Sequence, residues 1–85
     1  MITRESVQEK LLAYLNRQLT LAELVDWAEN ALLDGELDPR DHVLLRSILA
    51  RLGLADVRQF GLTWEDCSEY LSQLGYQVEI RVTPA

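Results

Sequence analysis

The sequence predicts a mainly α fold: a compact bundle of four helices and a short helical turn, followed by one C-terminal β-strand at about 76–82. Three observations support this. Capping residues precede segments of helical apolar spacing, glycines follow those segments, and the spacing changes to strict alternation near the C-terminus. A chain of 85 residues suits one domain. We expect that domain over 1–82, with 83–85 as a frayed tail.

The helix starts are predicted from side chains that can accept hydrogen bonds from the first-turn N–H groups. Thr3, Thr20, Asp38 and Thr63 each stand before a segment of helical spacing. Glu23, three residues after Thr20, completes a capping box. These four positions are therefore expected to be N-caps.

The helix ends are predicted from glycine, which adopts the left-handed conformation at a helix C-terminus without steric cost. All four glycines fall where an apolar period stops, at Gly35, Gly53, Gly61 and Gly75. Together, the starts and ends predict helices near 4–18, 20–34, 39–52 and 63–74, with a helical turn at 55–60.

Each predicted helix carries an apolar stripe at helical spacing, which indicates a shared core. The third helix has the widest apolar arc, made of Val43, Leu44, Leu45, Ile48, Leu49 and Leu52. We therefore expect the third helix to be central or to face two neighbours.

The C-terminal strand raises the question of its partner. One face carries Tyr76, Val78, Ile80 and Val82, and no upstream segment offers a second strand of this length. Its backbone groups need hydrogen bonds, so the strand could pair with its own copy, add to a sheet edge of another protein, or lie on the helices. We expect the first, a homodimer, because Glu79 and Arg81 could pair across a two-fold axis.

The net charge of −6 is concentrated in one segment. From residue 19 to 38 there is no Lys or Arg, and there are six acids: Glu23, Asp26, Glu29, Asp34, Glu36 and Asp38. The remaining eight acids are balanced by eight basic residues. This charge argues against nucleic acid as a partner and is compatible with a basic protein. A solvated helix face that only aids solubility is the alternative.

The candidate partner-binding residues of this segment are Glu23, Asp26, Trp27, Glu29 and Asp34. At 100° per residue, Trp27 lies about 60° outside the apolar stripe, beside Glu23 and Asp34. A tryptophan surrounded by acids is typical of an interface anchor. The alternative is that Trp27 seals the edge of the core together with Ala31.

No residue pattern predicts catalysis, a cofactor or a metal. His42 has no identifiable nucleophile or orienting partner, and Cys67 lies in an apolar stripe, where a thiol is unreactive. One His and one Cys are too few for a structural zinc site. The acidic loop from Asp34 lacks the Gly and Glu positions of an EF-hand. We expect a non-enzymatic protein.

Two functional hypotheses follow. The first is a homodimeric protein-interaction module that associates through its C-terminal strand. The second is an acidic antagonist of a basic protein, of the immunity-protein or antitoxin type. A cytoplasmic location is expected because the N-terminal residues lack the apolar run of a signal peptide and the single cysteine suits a reducing compartment. No membrane partner is expected.

Overall fold

The computed structural model describes residues 1–57 and 61–77, and this part of the chain is mainly helical. The helices are α1 (Arg4–Leu15), α2 (Leu21–Asp34), α3 (His42–Leu52) and α4 (Trp64–Gln73), with a 3₁₀ turn (Pro39–Asp41) before α3. The helical prediction is therefore confirmed. The described residues contain no strand, but of the predicted strand at 76–82 only Tyr76 and Gln77 are described, so that prediction lies outside them.

All four predicted N-caps are confirmed. Before each of α1, α2 and α4, a threonine side chain accepts a hydrogen bond from the backbone N–H of the residue three positions later. The side chain of that later residue in turn accepts a hydrogen bond from the threonine backbone N–H. These reciprocal pairs are Thr3 with Ser6, Thr20 with Glu23 and Thr63 with Asp66. Asp38 caps the 3₁₀ turn by accepting from the Arg40 N–H at 3.0 Å. The starts of α1, α2, α4 and the 3₁₀ turn are thus determined by residues close in sequence, whereas Asp41, at the N-cap of α3 itself, makes no capping hydrogen bond with its side chain.

The core is formed by all four helices. The contact between α2 and α3 is the most extensive, and α1 packs against both α2 and α4. The fully buried side chains include Val7, Leu11, Leu24, Leu45, Ile48, Leu49, Leu52, Cys67 and Leu71. The predicted apolar arc of α3 is too wide, because Val43 is 82% exposed. At 100° per residue Val43 lies opposite the buried residues of α3.

Two of the four glycines are left-handed, as predicted. Gly75 has φ +95 and Gly61 has φ +59. After α4, the Tyr76 N–H donates to the Leu71 carbonyl at 2.9 Å and the Gly75 N–H donates to the Ser72 carbonyl at 3.0 Å. These two bonds form a Schellman motif.

For Gly35 and Gly53, the prediction of a left-handed conformation is wrong. Gly53 has φ −65 because the chain continues in helical turns past α3, where the Ala55 N–H donates to Leu52 and the Val57 N–H donates to Leu54. These turns occupy the first part of the predicted helical turn at 55–60, whose residues 58–60 lie outside the described chain.

Gly35 is extended, with φ −78, because the chain after α2 pairs with the N-terminus. Ile2 forms a parallel bridge with Leu37: the Ile2 N–H donates to the Glu36 carbonyl at 2.6 Å and the Asp38 N–H donates to the Ile2 carbonyl at 2.9 Å. A Cβ at position 35 would lie 2.5 Å from the backbone oxygen of Ala31 and 2.5 Å from Cδ1 of Ile2. Glycine is needed here for close approach, not for a turn.

Arg4 joins three parts of the fold. One guanidinium nitrogen donates to the Leu74 carbonyl at 3.2 Å, and the other donates to Asp41 Oδ1 at 2.8 Å. The pKa of Arg4 is raised first by its hydrogen bond to Asp41 and then by the charge of Asp41. The start of α1 is thereby tied to the 3₁₀ turn and to the end of α4.

The first helix ends at Leu15 rather than at the predicted residue 18. The Gln18 N–H donates to the Ala13 carbonyl at 2.8 Å and the Arg17 N–H donates to the Tyr14 carbonyl at 3.1 Å. This is again a Schellman motif, with Arg17 at the left-handed position and a φ of +60. A side chain at such a φ is strained.

Replacement of Arg17 by glycine is therefore expected to stabilise the protein. The free energy of unfolding should rise by roughly 0.5–1 kcal/mol. Relief of the left-handed strain raises it, and the extra conformational entropy that glycine gives the unfolded chain offsets part of that gain. Urea denaturation of Arg17→Gly measures it. Gly75→Ala is the opposing control and should destabilise, since its φ is +95. Lower stability of Arg17→Gly would show that Arg17 makes contacts that outweigh the strain.

Candidate functional site

The candidate site is the exposed face of α2. This helix buries Leu24, Val25, Ala28 and Ala31 and turns its opposite side to solvent. At 100° per residue, Asp26 and Leu33 lie within about 20° of each other at the middle of that side. Leu33 is 80% exposed, in a helix whose other apolar residues largely face the core. An apolar side chain thus stands at the centre of a polar surface.

Leu33 shares the exposed surface of α2 with acidic side chains. The exposed acids are Glu23, Asp26, Glu29 and Asp34 on α2, and Glu36 just after it. Within the described residues there are two ion pairs, Arg4 with Asp41 and Arg40 with Asp38, and neither includes an acid of this surface. No salt bridge among the described residues therefore neutralises these acids. Glu23 is nevertheless partly compensated, because hydrogen bonds from Thr20 and, to a smaller extent, the charge of Lys10 lower its pKa.

Asp38, the sixth acid of the segment, does not belong to this surface. It is buried, with an exposed fraction of 4%, and its carboxylate accepts from the Arg40 backbone N–H at 3.0 Å, from Nε at 3.3 Å and from Nη2 at 3.1 Å. Hydrogen bonds from the Arg40 side chain, and then from its backbone, lower the pKa of Asp38. Asp38 therefore fixes the entry to α3.

Trp27 occupies the edge of the core. It is partly buried against the core residues, and Lys10 Nζ on α1 lies 5.8 Å from the centroid of its ring. This distance is within the range of a cation–π interaction. The cation also covers part of the segment that in sequence contains only acids. Trp27 lies about 100° around the helix from Asp26, so the two are not on one face.

The five predicted partner-binding residues consequently divide. Glu23, Trp27 and Asp34 lie on the side of α2 nearer α1, and Asp26 lies at the middle of the exposed face. Glu29 lies on the α3 side, where its Cγ would be 3.5 Å from a Cβ at Gly53. Leu33 lies on the polar side in the helical period, so the sequence alone predicts an exposed contact there, and its exposure in the structure confirms this.

Of the predicted strand residues, only Tyr76 is described. Its side chain is partly buried, packs against the core and lines a groove of about 280 Å³ together with Thr3, Arg4 and Asp41. Val78, Ile80 and Val82 lie outside the described residues. The chain therefore leaves the described fold beside the N-terminus of α1.

Cys67 is a poor nucleophile. Its side chain is fully buried, and burial, followed by the charge of Asp66, raises its pKa to about 11. The thiol is thus protonated at neutral pH, whereas the thiolate is the reactive form. In the described ranges, no group of three or more His, Cys, Asp or Glu residues is placed to hold a metal ion. No helix among them is long and apolar enough to cross a membrane.

Comparison with family models, curated proteins and solved structures gives no match to this chain.

The capping carboxylates are expected to make stability fall in acid. Hydrogen bonds lower the pKa values of Asp38, Glu23 and Asp66, chiefly those from Arg40, Thr20 and Thr63. Each carboxylate binds its proton more weakly in the folded state, so the unfolded chain is protonated first. Stability is therefore fully present above the unfolded pKa values of about 4 and is lost as pH falls through the lowered folded values.

Asp38→Asn tests this assignment, because asparagine keeps the capping acceptor and removes the charge. Urea denaturation between neutral and acidic pH should show lower stability at neutral pH and a smaller loss in acid. Asp26→Asn, on the exposed face of α2, is the matched control. Equal acid sensitivity of the Asp38 variant and the unmodified protein would contradict a contribution from Asp38.

Proposed function

We propose that this chain is a non-enzymatic protein-interaction module that binds a basic surface of another protein through the exposed face of α2. The observation that supports this most directly is the set of five exposed acids without ion-pair partners among the described residues. Uncompensated charge of one sign attracts a surface of the other sign and increases the association rate.

A protein partner fits this surface better than a nucleic acid or a small molecule. Phosphates would be repelled by the acids. Leu33 offers an apolar contact at the centre, and protein interfaces typically have an apolar centre and a polar rim. The complementary partner presents Lys or Arg residues around an apolar area.

An acidic antagonist of a basic protein is the functional class that this surface supports best. A protein of the immunity-protein or antitoxin type that covers a basic active site needs a compact acidic surface and no chemistry of its own. The unreactive environment of Cys67 agrees with a role in binding rather than catalysis.

Charge reversal on α2 tests the proposal. The double variant Asp26→Lys/Asp34→Lys should bind the partner at least about tenfold more weakly, because favourable charge pairs become repulsive. The full chain, tagged, captures partners from a native cell lysate. The captured protein is then titrated against each variant at increasing salt concentrations, and binding should weaken as salt rises.

Glu9→Lys/Glu69→Lys is the matched control, since both residues are exposed on other helices and the change in net charge is identical. It should bind almost normally. Equal losses in the two double variants would show that only net charge matters, and a captured partner without a basic surface would contradict the proposal.

Self-association through the C-terminal strand is a second proposal, supported by the alternating pattern of 76–82. Tyr76 packs on the core and completes the turn after α4, so a chain ending at Gln77 should retain the described fold. Sedimentation velocity at micromolar concentration should show a dimer for the full chain and a monomer for the shortened one. Two folded monomers would show that the strand does not pair with its copy.

A further inference from the structure

An open groove runs between the C-terminal part of α2 and the face of α3 that carries His42, Arg46 and Ala50. Its volume is about 580 Å³, and its apolar lining is made of Leu32, Leu33, Leu37 and Ala50. The bridge between Ile2 and Leu37 fixes the segment that closes one end. The groove therefore has walls fixed by two packed helices and a paired segment.

The groove opens directly beside the acidic surface. Leu33 belongs to both, because it lines the groove and stands among the acids of α2. His42 of α3 also lines the groove. A leucine that is 80% exposed gains free energy when a partner covers it.

The two walls of the groove differ in charge. On the α2 side Glu36 lines the groove, and Glu29 lies farther along, beside Gly53. On the α3 side Arg46 and His42 line it, and α3 contains no acid. A partner with basic residues on both sides would bring one of them against Arg46, which would repel it. The groove therefore favours a partner with basic residues on the α2 side and an acidic residue on the α3 side.

We infer that the groove binds an amphipathic helix of the basic partner. This helix lies along the groove with its apolar row against Leu32, Leu33 and Ala50, its Lys or Arg row over α2, and an acidic residue facing Arg46. A groove between two packed helices is a common binding site for an amphipathic helix of another protein. The inference rests on the proposed function, because it takes the partner to be the basic protein.

A synthetic helical peptide is the probe for the groove. It carries leucines at i, i+4 and i+7, arginines along one flank and one glutamate on the other, and it is titrated against the full chain by fluorescence anisotropy. Leu33→Gln and Ala50→Gln should each weaken binding about tenfold. Leu12→Gln, on the exposed side of α1, is the matched control and should bind normally. Circular dichroism verifies that each variant is folded.

An exchange of charge between Arg46 and the peptide glutamate distinguishes specific binding in the groove from attraction by net charge alone. Arg46→Glu makes the protein more acidic, which by net charge alone would strengthen binding of any basic peptide. If the peptide glutamate contacts Arg46, Arg46→Glu should instead bind this peptide about tenfold more weakly. Replacement of the peptide glutamate by lysine should then restore the affinity of the variant.

The outcomes distinguish the groove from the acidic surface. One outcome is that binding is lost in Asp26→Lys/Asp34→Lys but unchanged in Leu33→Gln and Ala50→Gln. That result would support the proposed function and would show that the partner helix does not bind in the groove. Stronger binding of the original peptide by Arg46→Glu would also contradict binding in the groove. The inference would likewise be wrong if the peptide did not bind at millimolar concentration while the full chain still captured a basic partner.

Discussion

The guanidinium of Arg4 joins segments that are far apart in the chain. It donates to the carbonyl of Leu74 at the end of α4 and to Asp41 before α3, while its own backbone starts α1. The four helices have 10 to 14 residues, a length at which an isolated helix is marginal in water. Their stability therefore depends on tertiary contacts, and Arg4 adds directed ones between helix ends, where backbone groups lack helical partners.

The neighbouring bridge between Ile2 and Leu37 explains the form of the α2–α3 connection. Pairing extends the chain at Gly35, where a Cβ would meet Ile2, and brings Asp38 into its buried position as a cap. The connection is consequently fixed at both ends. Because residues 35–37 of this connection also line the groove between α2 and α3, the pairing with Ile2 helps to shape that groove.

Tertiary packing also sorts the charged residues. Of the six acids in the segment 19–38, Asp38 is withdrawn into the fold, and Lys10 comes from α1 to lie over Trp27. Of the five acids that remain exposed, four are distributed along α2 and Glu36 follows it. Leu33 and Glu36 line a groove together with Arg46 and His42 of α3. A surface that is uniformly acidic in sequence thus becomes an acidic helix face beside a groove with one basic wall, which is the arrangement on which the proposed binding mode depends.

The sequence by itself determined the features that depend on residues a few positions apart. Helix type, the caps at Thr3, Thr20, Asp38 and Thr63 and the turn at Gly75 follow from short-range hydrogen bonds, and the exposure of most acids follows from helical periodicity. Only the tertiary structure decided the extended Gly35 and the place of Trp27 under Lys10. Both depend on which segments meet in space, and periodicity within one helix contains no record of that.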